Sequence, residues 1–162
     1  MLKDFLQAEG IHVVMTREGD QGLYDENASN KKVQDMKRRL EIIENAEPVL
    51  VVSIHQNSYH EEYVKGAQVF YYATSEESKR LAGVLQEQLR ALDPENNRQA
   101  KGNDSYFLLK KTPRTIVIVE CGFLSNREEA EKLSAQLYQE KLAWNIHMGI
   151  MKYLNGVDES SK

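Results

Sequence analysis

Two stretches of the chain are apolar almost without interruption, and each runs into an ionisable side chain: Val49 to Ile54 ends at His55, and Thr115 to Val119 ends at Glu120. A short, continuous apolar run between polar flanks is the pattern of a strand covered on both faces. Both are therefore read as buried strands. Ala67 to Tyr72 forms a third strand, and the roughly eleven-residue link before it is short for a helical crossover, which favours an antiparallel neighbour or an edge position. The β-branched run Ile11 to Thr16 and the segment Ser105 to Leu109 are read as two more strands.

Between these strands the apolar positions change to helical spacing. Val33, Met36, Leu40 and Ile43 define one helix that stops before Pro48, and Leu81, Val84, Leu85, Leu89 and Leu92 define a long one behind the capping pattern Thr74-Ser75-Glu76-Glu77. Ser125-Asn126-Arg127-Glu128 opens a short helix in the same way. Leu142, Ile146, Gly149, Ile150 and Tyr153 share one face of a final helix that Asn155-Gly156 ends. Near the start, Leu2, Phe5 and Leu6 form a stripe that Gly10 closes, with no Ser, Thr, Asp or Asn ahead of it to cap the helix. The chain thus reads as starting inside an element. Glu18 to Lys32 and Asp93 to Asp104 are polar and read as loops, the second as an exposed one.

Strands alternating with helices indicate an α/β fold, expected here as one domain with a mixed, mostly parallel β-sheet flanked by helices. A length of 162 residues with 41% hydrophobic and 28% charged content suits a single core. The domain is expected over residues 1–156, with 157–162 as a disordered tail. The formal net charge of -4 and a pI near 5.6 provide no field for a polyanion, so no nucleic-acid partner is expected. No apolar run approaches the roughly 18 residues of a membrane span. Cys121 is the one cysteine, which excludes an intrachain disulfide and a thiolate-rich metal site. Any metal must then be held by His and carboxylate groups.

In open α/β sheets, ligands gather outside the carboxyl ends of the strands, so His55 and Glu120 meet at one edge if their strands run parallel. An imidazole there suits zinc, and a carboxylate beside the metal suits a base for its water. The plainer reading of each is a hydrogen-bonded structural histidine and a half-exposed glutamate. Asn57 follows His55 by two residues and shares its side of an extended chain, where it either orients the site or forms a turn. Arg39 reads as an ion-pairing anchor for its helix. His12, His60 and His147 have no metal-ligand spacing. Cys121, on the opposite side of its strand from Glu120, reads as a small buried hydrophobe.

The segments SIHQN at Ser53 to Asn57, VECGFLSN at Val119 to Asn126 and HVVMTRE at His12 to Glu18 resemble three blocks of the zinc-dependent N-acetylmuramoyl-L-alanine amidases. Similarity continues through MKRR, KGAQVFYY, SYFLLK, EAEKL and YQEKLAWNIHMGI, and so spans nearly the whole chain. It is nearest to the spore-cortex, germination-type amidases. The resemblance implies a domain lacking the family's first strand and part of its first helix. Two zinc ligands of the family, a His on that strand and a Glu on that helix, then have no counterpart. The remaining zinc ligand maps to His55 and the catalytic carboxylate to Glu120.

The implied cofactor is zinc, and the implied reaction is hydrolysis of the amide between N-acetylmuramic acid and L-alanine in peptidoglycan by zinc-activated water. Asn57 and Arg98 are the candidate substrate contacts; Arg98 and Lys101, in the loop before SYFLLK, either meet stem-peptide carboxylates or are plain cations of a solvated loop. Action in the cell envelope or outside the cell is implied, with the export signal expected in the missing N-terminal part. A lost strand would expose a sheet edge and favour association through it. The alternative is a non-catalytic remnant that binds cell wall or is inactive for want of two ligands. Departures from the family pattern are Thr115 where a Pro is usual, with Pro113 two residues earlier, and Glu44 for an Asn late in the second helix.

Overall fold

The computed structural model of the protein describes residues 1–156, and the expected tail Val157 to Lys162 lies outside the described residues. Four strands, β1 (Leu50–Asn57), β2 (Gln68–Tyr72), β3 (Lys101–Asn103) and β4 (Thr115–Phe123), form one mixed sheet in the order β1-β4-β2-β3. β1 runs parallel to β4, β2 antiparallel to β4, and β3 parallel to β2. β2 opposes β1 in direction, as its short preceding link allows, but β4 lies between the two and β3 flanks its other side, so β2 is neither the neighbour of β1 nor the edge strand expected.

Strand alternation divides the core into two layers of unequal size. Val69, Val117, Val119 and Cys121 point toward α3 (Glu76–Leu92) and α6 (Gln136–Leu154), where Leu81, Leu85, Leu89, Ile146 and Ile150 complete the larger cluster. Phe70, Ile116 and Ile118 point the other way, onto Ile43 of α2 (Lys31–Ala46) and Leu108 and Leu109 of α4 (Phe107–Lys111). Leu6 of α1 (Leu2–Ala8) and Leu133 of α5 (Arg127–Ser134) join the larger cluster. Helices on both faces of a mixed sheet confirm the α/β fold.

Caps explain where the helices begin. Ser75 accepts a hydrogen bond from the Ser78 N–H, Asn30 from Val33 and Asn126 from Glu129, each satisfying a donor that the first turn leaves free. Within α2, Asp35 accepts from Arg39 Nε at 2.6 Å and from the Leu23 N–H at 2.7 Å. Arg39 is thus an ion-pairing anchor of its helix, and the pair also pins the preceding loop.

Four further expectations need correction. Ile11 to Thr16 is not a strand among the described residues: Ile11 and Val13 pack on the core and His12 and Val14 face out, as in a strand, but no neighbouring chain supplies the ladder. Ser105 to Leu109 is not a strand either. The Asn103 side chain accepts from the N–H groups of Ser105 and Tyr106, turns the chain, and lets Phe107–Lys111 coil into α4 with Leu108 and Leu109 inward.

The third correction concerns β1, which is an edge strand rather than one covered on both faces, with Ile54 49% exposed. An apolar run reports what a strand is able to cover, and its place in the sheet is set by partners elsewhere in the chain. Finally, Asp93 to Asp104 is not wholly exposed. Asn96 is buried, donates to the Ala67 carbonyl at 2.8 Å and accepts from the Arg98 N–H, and the loop ends in β3.

Candidate functional site

The two ionisable strand ends lie side by side. His55 and Glu120 are direct partners in the parallel β1–β4 register, so their side chains leave the same face of the sheet, the one that carries Val51, Ile116 and Ile118. On the other side of Glu120, Gln68 of β2 is its direct antiparallel partner. His55, Glu120 and Gln68 therefore form one row across three adjacent strands, near the carboxyl ends of β1 and β4. Immediately beyond, the register shifts: the two-residue step from His55 to Asn57 faces the three-residue step from Glu120 to Phe123. A β-bulge of this kind re-aims side chains and ends the pairing.

Gly122 stands in the bulge at φ +150, where a Cβ would sit 3.3 Å from Glu129 Oε2 and from Leu133 Cδ1. Glycine accommodates both the backbone angle and the close approach. The Glu129 carboxylate, buried in α5, binds the Phe123 N–H at 2.7 Å and the Gly66 N–H at 2.8 Å. It ties the exit of β4 to the entry of β2 and so fixes the rim around Glu120.

The row is electrostatically uneven. Glu120 is buried, its Oε2 has no hydrogen-bond partner among the described residues, and burial pushes its carboxyl above the usual range. The shift has the direction that the apolar strand leading to Glu120 implies. His55 stands at the open edge, with Nε2 3.0 Å from the Ser53 Oγ. Partial burial of its ring, followed by the positive charges of Arg39 and Arg17, holds the imidazole below its ordinary value and so favours the neutral, metal-binding form. Tyr106, packed edge-on against Phe70 at 5.6 Å, has its hydroxyl pushed up by burial and then by the charge of Glu120. Cys121 points into the opposite layer, buried, with its thiol pushed up to about 12 by burial first and the nearby carboxylate second.

The structure locates the other sequence candidates as follows. Asn57 accepts from the Ser58 N–H at 2.8 Å, and its carbonyl accepts from Leu124 at 2.8 Å, so it shapes the turn at the rim beyond the bulge. Arg98 donates to the Lys65 carbonyl at 2.7 Å and to Gln68 Oε1 at 3.0 Å, and its guanidinium lies over the Phe123 ring at 4.8 Å. It therefore stands one residue beyond Glu120, on the β2 side. His60 stacks on Tyr59, while His147 is buried between Phe5 and Trp144. Among the described residues, no three His, Cys, Asp or Glu side chains come together as a metal site.

Sequence reasoning overlooked Gln68, Tyr106 and Glu129. The KGAQVFYY strand carried a signal for Gln68, because its alternation puts the glutamine on the face of Phe70. The antiparallel register that brings it beside Glu120 is a tertiary fact.

The fold and this rim define an α/β domain that gathers a buried carboxylate and an open imidazole at the carboxyl edge of two parallel strands, where ligands bind in open α/β sheets. The N-acetylmuramoyl-L-alanine amidase family matches residues 1–152, and the chain belongs to that family. It is 36% identical over 155 residues to a germination-specific N-acetylmuramoyl-L-alanine amidase of Bacillus subtilis, covering 94% of this chain and 65% of the relative. To the N-acetylmuramoyl-L-alanine amidase LytC of the same organism it is 30% identical over 127 residues, covering 77% of this chain and 25% of LytC. The fold is similar to the CwlD amidase of Clostridioides difficile, solved in complex with the GerS lipoprotein. There the TM-score is 0.92 and the identity 40%, over 96% of this chain and 81% of CwlD. The catalytic domain of CwlV from Bacillus (Paenibacillus) polymyxa var. colistinus gives a TM-score of 0.81 at 26% identity, over 95% of this chain and 79% of that one.

Proposed function

We propose that this chain carries the catalytic carboxylate and one zinc ligand of an enzyme that hydrolyses the amide between N-acetylmuramic acid and L-alanine in peptidoglycan. The observation that carries the reading is the ladder pairing of His55 with Glu120 on one face of the sheet. Water attacks the amide carbonyl, Glu120 takes the proton that the water loses, and the same carboxyl returns it to the departing alanine amine. A carboxyl whose affinity for protons is raised by burial suits this double role. Asn57 keeps the rim in shape beside His55, and Arg98 faces the substrate on the β2 side.

The donor set bears on zinc as follows. An imidazole held below its ordinary value, beside a buried, unpartnered carboxylate oxygen, fits one protein ligand and its neighbouring base. A catalytic zinc takes three protein ligands and keeps one position open. His55 would be one of them, and when bound the metal supplies a Lewis acid that lowers the pKa of water and polarises the carbonyl. The described residues do not complete that set. Zinc retained by this chain alone is accordingly expected below one equivalent.

That shortfall favours one second reading: a non-catalytic form that binds cell wall without cutting it. The relatives named as N-acetylmuramoyl-L-alanine amidases, one of them germination-specific, support a role at the cell envelope or outside the cell, in spore germination or sporulation. No helix among the described residues is long and apolar enough to cross a membrane.

The test is release of new L-alanine amino termini from purified peptidoglycan, with and without added zinc. Zinc-stimulated release that falls by about a hundredfold or more in Glu120→Gln, the scale of lost acid–base catalysis, supports the hydrolytic reading. Sedimentation of the chain with peptidoglycan, without release under any zinc concentration, supports the second.

A further inference from the structure

Resting on the amidase reading above, we propose that Arg98 receives a carboxylate of the acidic peptide attached to the muramoyl group, on the β2 side of Glu120. The alternating pattern of β2 puts Gln68 next to Glu120 in the ladder, and residues so paired have Cβ atoms about 4.5–5.5 Å apart. Gln68 Oε1 accepts from Arg98 Nη1 at 3.0 Å, while Gln68 Nε2 donates to the Gln99 carbonyl at 2.9 Å. The guanidinium thus stands about one side chain beyond the reacting carboxylate. Successive peptide residues advance by about 3.3–3.6 Å. A peptide whose first amide lies at Glu120 therefore brings the acid group of its next residue toward Arg98.

The position is built, not left to a mobile surface side chain. Buried Asn96 bonds the Ala67 carbonyl and the Arg98 N–H, which fixes the loop to β2. Gly66, at φ +104, clears the space: a Cβ there would lie 2.8 Å from Asn96 Oδ1 and 3.1 Å from Arg98 Nε. The Lys65 carbonyl takes Nε, and the ring of Phe123 supports the guanidinium plane.

The charge, by contrast, is uncompensated. Glu95 and Glu128 are ion-paired with Lys65, and Glu129 is bound to two backbone N–H groups. Arg98 consequently has no acidic partner among the described residues, and its Nη2 donates to none of them. A half-buried guanidinium held by neutral acceptors, in a chain of net charge -4, presents its remaining N–H groups to an incoming anion. Muramoyl peptides supply such an anion on the residue that follows L-alanine.

The γ-methylamides of N-acetylmuramoyl-L-alanyl-D-glutamic acid and of its α-amide, N-acetylmuramoyl-L-alanyl-D-isoglutamine, differ by that one carboxylate, because the γ-carboxyl is blocked in both. Their affinities are measured by titration calorimetry on the full chain carrying Glu120→Gln, so that turnover does not interfere, with and without Arg98→Gln. The acid is expected to bind about tenfold more tightly than the amide, the scale of one charge-assisted contact. Arg98→Gln brings the ratio to about one and leaves the amide's affinity within twofold. Gln68→Met, which frees the guanidinium without removing it, lowers the ratio in a chain that keeps its charge.

A merely structural Arg98 would weaken both ligands equally and preserve the ratio. That result, equal binding of acid and amide before substitution, or binding of neither would overturn the proposal. Preference for the acid together with no cleavage of either compound by the unsubstituted chain would overturn the amidase reading and leave the anion site standing.

Discussion

β1 and β4 look alike as sequences, yet they differ in nearly every physical respect once paired. β4 has partners on both sides and is buried along its length after Thr115, whereas β1 has one partner and its residues from Ile54 to Gln56 are exposed. The difference assigns their terminal groups separate duties. Burial raises the proton affinity of Glu120, and the open edge leaves the His55 ring accessible beside solvent. A carboxylate made reluctant to ionise and an imidazole open to solvent come from one ladder step between a central strand and an edge strand.

The largest effect expected from this contrast is on stability. Ile116→Ala, at a residue 1% exposed in β4, should cost about 2–5 kcal/mol, whereas Val51→Ala, its direct partner in β1, should cost less, about 1–2 kcal/mol, because its smaller side chain is only partly buried. Denaturant midpoints of the two variants check this. Equal losses would mean that β1 is covered in solution.

The next effect concerns the helix that packs on the His55 face. Arg39, followed by a smaller contribution from the Leu23 N–H, holds the Asp35 carboxyl below the usual carboxylate range, and both side chains of the pair are largely buried. A lowered folded pKa contributes stability that is present above the unfolded value of about 3.9 and is lost as pH falls through the folded one. Asp35→Asn should therefore cost about 1–3 kcal/mol near neutral pH and flatten the acid limb of a stability-against-pH curve. An unchanged acid limb would show that the pair does not anchor α2.

The smallest effect is expected at the open edge. Ile54→Lys should change monomer stability by less than about 0.5 kcal/mol, yet reduce any concentration-dependent association, since a charged side chain blunts an unpaired strand. Sedimentation velocity over a concentration series reads this directly. Association that persists unchanged would place the contact elsewhere.

The same contrast explains what was legible beforehand. Both catalytic candidates were visible because a strand that is apolar until its last residue has one chemical surprise, and the motifs around His55 and Glu120 named the family. Edge and centre were not legible, because Val49 to Ile54 and Thr115 to Val119 carry equivalent patterns and only pairing partners distinguish them. Ser105 to Leu109 misled for a local reason: the Asn103 turn outweighed the strand tendency of Tyr106 and Phe107. Ile11 to Thr16 has the alternation of a strand, but a strand exists by virtue of its ladder. Arg98 was visible as a loop cation, while the register that makes Gln68 its support was not.

Crystals of the chain grown with zinc, measured on both sides of the zinc absorption edge, test the central claim most directly. The expected result is an anomalous peak about 2.0–2.1 Å from an imidazole nitrogen of His55, with the Glu120 carboxyl one water molecule away. A peak at His12, His60 or His147 instead, or none near the β1–β4 rim, would contradict the account.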